Sequence, residues 1–65
     1  MNKAQLNTLI QEGTKLNKMF NREVRFEEVE RCLNVFLIHW KIGSMFIPMT
    51  LGEDGQYDYI GDVRP

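Results

Sequence analysis

The chain has 65 residues, of which 43% are hydrophobic and 26% charged, and its formal net charge is −1. That length makes one small domain, residues 1–65, and that apolar share excludes a disordered chain. The near-neutral balance gives no overall attraction to nucleic acid or to an anionic membrane.

Charge is unevenly placed. Up to Lys41 there are seven Lys/Arg and five Asp/Glu, or +2; from Ile42 on there are one Arg and four acids, or −3. Cys32 is the single cysteine, so no internal disulfide can form, and no Cys/His cluster is spaced for a structural zinc. The N-terminal residues Met-Asn-Lys-Ala-Gln lack an apolar signal segment, which makes a cytoplasmic setting the expectation.

Residues 3–20 read as a helix. Leu6, Leu9, Ile10, Gly13, Leu16 and Phe20 share one face at helical spacing, while Gln5, Thr8, Gln11, Glu12, Lys15 and Lys18 lie mainly elsewhere. Asn2 is placed to cap its start. Gly13 sits mid-helix on the apolar face, where it costs up to ~1 kcal/mol relative to Ala. Close approach of another helix would account for it.

Asn21 can end that helix in a left-handed conformation. Residues 25–42 then read as a second helix. Phe26, Val29, Leu33, Phe36, Leu37 and Trp40 form its main stripe, and Gly43 is its stop. Val35, Ile38 and Ile42 form another apolar line on the far side. A helix apolar nearly all round needs cover that a short chain cannot supply, so those three residues are expected to self-associate in a homodimer. The run from Cys32 to Ile47 is not a membrane span. Asn34, His39, Lys41, Gly43 and Ser44 interrupt it, and a span needs ~18 unbroken apolar residues.

After Gly43 the period becomes two, and residues 45–60 read as a β-hairpin. Met45, Ile47, Met49 and Leu51 point one way; Phe46, Pro48 and Thr50 point the other. A three-residue loop, Glu53-Asp54-Gly55, sets Leu51 opposite Tyr57 and Met49 opposite Tyr59. It also puts Gly55 where such loops need a left-handed residue. Only that register keeps one face apolar. Residues 61–65 are expected to fray. The fold expected is α+β: a two-helix hairpin followed by a C-terminal β-hairpin packed on helix two.

No chemistry-bearing motif stands out. On a helix Cys32 and His39 would be about 10.5 Å apart along the axis, too far for a nucleophile and its base. The acids Glu53, Asp54, Asp58 and Asp62 do not match a calcium loop, and the glycines are too scattered for a phosphate loop. The expectation is no catalytic, metal or cofactor residue, and no enzyme.

Tyr57 and Tyr59 set among Asp54, Asp58 and Asp62 suggest an acidic, aromatic protein-binding edge. The function expected is a small protein-binding module. It would be regulatory or inhibitory, of the kind phages and mobile elements encode, and would occupy a partner's surface. The alternative is a dimeric nucleic-acid-binding regulator using Lys15, Lys18, Arg22 and Arg25. A recognition helix must offer polar side chains to base edges, and the second helix is too apolar for that role.

Overall fold

A computed structural model describes residues Met1–Pro65. Helix α1 spans Lys3–Phe20 and is followed by four strands: β1 Arg25–Cys32, β2 Val35–Ile42, β3 Met45–Gly52 and β4 Tyr57–Tyr59. The strands form one antiparallel sheet in the order β1-β2-β3-β4. The class is α+β, but there is no second helix. The segment expected as helix two is the β1–β2 hairpin, and the C-terminal hairpin packs under α1.

The reason lies in β2. Phe36, Ile38, Trp40 and Ile42 are buried, while the alternate residues Val35, Leu37, His39 and Lys41 lie on the other face. That is period two, and branched and aromatic side chains favour it. Both faces carry apolar residues, so a helical stripe can also be drawn through them. In β1 the alternation is broken by a bulge between Glu28 and Glu30, which hides the strand period.

Turns complete the correction. Leu33-Asn34 joins Cys32 to Val35 and Gly43-Ser44 joins Ile42 to Met45. The first residue of each loop has positive φ, 55° at Leu33 and 62° at Gly43. Glycine adopts that conformation readily and leucine does not, so Gly43 signals a turn in the sequence and Leu33 conceals one. Gly43 is therefore a hairpin residue, not a helix stop.

The core is one layer between α1 and the sheet. Leu9 and Leu16 meet Phe36, Ile38, Trp40, Ile42, Ile47, Met49 and Leu51. Ile38 and Ile42 thus belong to the core, which removes the exposed stripe from which self-association through Val35, Ile38 and Ile42 was expected; Val35 alone of the three is exposed. Trp40 lies at the centre. Its indole Nε1 donates to Met49 Sδ at 3.4 Å, and its ring meets Phe26 edge-on at 5.8 Å. Gly13 faces this indole and no other helix: a Cβ there would stand 3.4 Å from the ring.

Several readings of the sequence hold. The helix runs over the expected residues, Asn2 caps it and Asn21 ends it at φ 53°. In β3–β4, Met49 pairs with Tyr59 and Leu51 with Tyr57, and Gly55 has φ +88°. Pro48 is tolerated inside the sheet because its carbonyl points to the β4 side, where it accepts from Ile60 N at 3.0 Å. The N–H it lacks would point the same way, at the edge where β4 stops. In the tail expected to fray, Val63 packs against the core.

Candidate interaction surface beside the edge strand

Amphipathicity alone would bury Leu6 and Ile10 and expose Gln5, Thr8 and Glu12. The structure does the reverse. Gln5, Thr8 and Glu12 are buried, while Leu6 is 47% and Ile10 68% exposed. Each buried polar group finds a partner on the β3–β4 hairpin. Gln5 Nε2 donates to Gly52 O at 3.2 Å, Thr8 Oγ1 donates to Gly55 O at 2.6 Å, and Tyr59 OH donates to Glu12 Oε1 at 2.8 Å. Asn2 Nδ2 adds a bond to Glu53 O at 2.7 Å. This row of bonds latches the helix to the hairpin and sets its rotation. A buried polar group without such a partner would cost ~1–3 kcal/mol.

Rotation toward β4 leaves the opposite flank open. An open groove of about 520 Å³ runs between α1 and β1, walled by Leu6, Leu9 and Ile10, with Val24, Phe26 and Trp40 on the other side. Beyond it lies β1, an edge strand with all eight residues exposed. A run of exposed apolar side chains beside a strand with one free edge is the feature of this molecule that packing alone does not explain.

The residues expected from sequence as an acidic protein-binding edge do not converge. Tyr59 is half-buried and belongs to the latch; Tyr57 is exposed and meets the Tyr59 ring edge-on at 5.7 Å. Asp54 Oδ1 accepts from Gln56 N at 3.1 Å within the turn. Asp58 pairs with Thr50 on the uncovered face, and Asp62 binds Arg64 at 2.9 Å. The basic residues divide as well. Lys15 lies 3.8 Å from Glu12, and Lys18 stands in the last turn of α1. Arg22 and Arg25 line a pocket of about 390 Å³ with Glu23, Gly43 and Lys41, and Arg25 is bound to Glu23 at 2.9 Å. Lys41 is distant in sequence and joins this cluster only because its segment is a strand and not the expected helix. Cys32 is exposed at the end of β1, and no three His, Cys, Asp or Glu side chains gather at one point.

The latch has a measurable signature. Burial first, then hydrogen bonding to the Glu12 carboxylate, push the Tyr59 hydroxyl well above the ordinary tyrosine value of about 10. The nearby Glu12 carboxylate also raises Tyr57. For Tyr59 the protonated phenol is favoured in the folded state. Its stabilisation is complete below the unfolded value and is lost as pH rises through the folded one. Tyr59→Phe should lower stability by ~1–3 kcal/mol at neutral pH and flatten the loss above about pH 10. Urea melts at a series of pH values check this. An alkaline decline as steep as that of the parent would assign the loss to another group.

No helix is long and apolar enough to cross a membrane. No family model, curated protein or solved structure matches this chain.

Proposed function

We propose that this chain is a non-enzymatic protein-interaction module whose α1–β1 groove receives an apolar segment of a partner protein. One observation carries the reading: α1 is rotated so that three polar side chains are buried and Leu6 and Ile10 are left in the open groove. Hydrophobic burial alone would turn the helix the other way. The partner's surface would be occupied rather than chemically altered, which fits a regulatory or inhibitory role.

The test uses tagged protein and its Leu6→Asp/Ile10→Asp variant. Both positions are exposed, so folding should change little, and circular dichroism melts verify that. Capture of the partner should depend on Leu6 and Ile10. It should survive Asp58→Asn/Asp62→Asn, which alters the acidic residues only. Capture that is indifferent to the groove variant defeats the proposal.

A second reading has an observation of its own. Arg22, Arg25 and Lys41 surround one pocket, a geometry suited to phosphate. Nucleic-acid binding that weakens steeply with salt and is lost in Arg22→Ser/Lys41→Ser would favour it.

A further inference from the structure

We infer that the β1 edge pairs antiparallel with the β1 edge of a second copy, so that Glu28 of each copy meets Arg31 of the other. This rests on the reading of the edge and groove as an interaction surface, and names what occupies the edge.

The side chains involved are placed by the β1–β2 pairing. Phe26 is opposite Trp40, Glu28 opposite Ile38 and Arg31 opposite Phe36, and all three of those partners are in the core. Phe26, Glu28 and Arg31 therefore stand on the side of the sheet that α1 covers. The Arg31 guanidinium lies 5.3 Å from the centre of the Phe36 ring, which holds it there. Two charges on this side, with a bulge between them, are devices that stop an edge from accepting an arbitrary strand.

For a second copy the same devices are complementary. Pairing Glu28 with Arg31 of the second copy passes the twofold axis between Val29 and Glu30. The two bulges then face each other, and the extra residue on one strand is matched by the extra residue on the other. The ion pair occurs twice. The same register brings Phe26 toward the turn residue Leu33 of the second copy, and Leu33 is 88% exposed, the highest value among the large apolar side chains. Two other registers are worse. One sets Glu28 against itself and another sets Arg31 against itself, and like charges directly opposite are destabilising. The axis is perpendicular to the sheet, so both helices lie on one face. The two grooves then open on the same face, with the two ion pairs between the Phe26 rings.

Sedimentation equilibrium up to about a hundred micromolar should show a reversible dimer, since that range reads dissociation constants of that order. Glu28→Arg alone and Arg31→Glu alone each place like charges face to face twice, and each should weaken the dimer by about a hundredfold or more. An equimolar mixture of the two variants has opposite charges at both contacts and should dimerise again. So should the double variant Glu28→Arg/Arg31→Glu. Circular dichroism establishes that each variant is folded.

A native protein that stays monomeric over the range overturns the inference. So does a dimer untouched by both single changes, or a mixture that remains monomeric. The capture assay separates this from the groove reading. A monomer that still captures a partner through Leu6 and Ile10 refutes the twofold pairing alone. A dimer that follows the charge changes while capture ignores the groove refutes the groove alone.

Discussion

Ile38→Glu should leave the chain without a cooperative unfolding transition. Ile38 is fully buried on the covered face, between Glu28 on β1 and Met49 on β3. An unpaired carboxylate there loses its hydration and gains no donor, at a cost of several kcal/mol. A single core in a chain this short supplies only ~3–5 kcal/mol of net stability, so the loss removes nearly all of it. The neighbouring change Leu37→Lys should be survivable at a cost of about 1 kcal/mol, since Leu37 is half-exposed on the uncovered face and pairs with Glu30. Urea titrations followed by Trp40 fluorescence read both. A folded Ile38→Glu monomer would mean that the β2 side-chain alternation is wrong.

Gly55→Ala should cost ~2–3 kcal/mol, from left-handed strain and loss of the bond it displaces. Gly55 has φ +88°, and a Cβ there would stand 2.8 Å from Ala4 O and 3.1 Å from Thr8 Oγ1. Neither atom can retreat without unwinding the first turn of α1 or breaking the Thr8–Gly55 bond. Gly61→Ala is the control. Gly61 has φ +96°, and a methyl group there would meet no atom within 4 Å, so only the conformational cost of about 1 kcal/mol applies. The difference in midpoint between the two variants isolates the contact between turn and helix. Equal losses would show that the turn does not press on α1.

These two positions also show where the sequence is legible. Gly55 is readable because one loop length alone keeps Met49, Leu51, Tyr57 and Tyr59 on one face, and that register is the one observed. Local chemistry likewise sets the ends of α1 at Asn2 and Asn21. Ile38 is misread because β2 is apolar on both faces. A two-sided apolar run fits period 3.6 and period two about equally, and length then favours a helix. The information that decides it is a turn at Leu33-Asn34, where an exposed leucine occupies a left-handed position. Branched and aromatic enrichment in Val35–Ile42 is the remaining signal for a strand. The groove is illegible for another reason. Its existence depends on the rotation of α1, which is set by hydrogen bonds to Gly52, Gly55 and Tyr59. Those partners lie 47 residues from their helix positions, so no local pattern announces them.

The same separation has a kinetic consequence. Each pair of adjacent strands closes a short loop, so the sheet can zip from hairpin to hairpin with little loss of chain entropy. The bonds from α1 to the last hairpin join the two ends of the chain and form once the sheet between them exists. They belong to the late side of the folding barrier, and their strength governs how long the domain stays closed rather than how fast it closes. Tyr59→Phe should accordingly speed unfolding and leave the folding rate nearly unchanged, and stopped-flow fluorescence of Trp40 would show a slowed folding limb if the latch instead formed early.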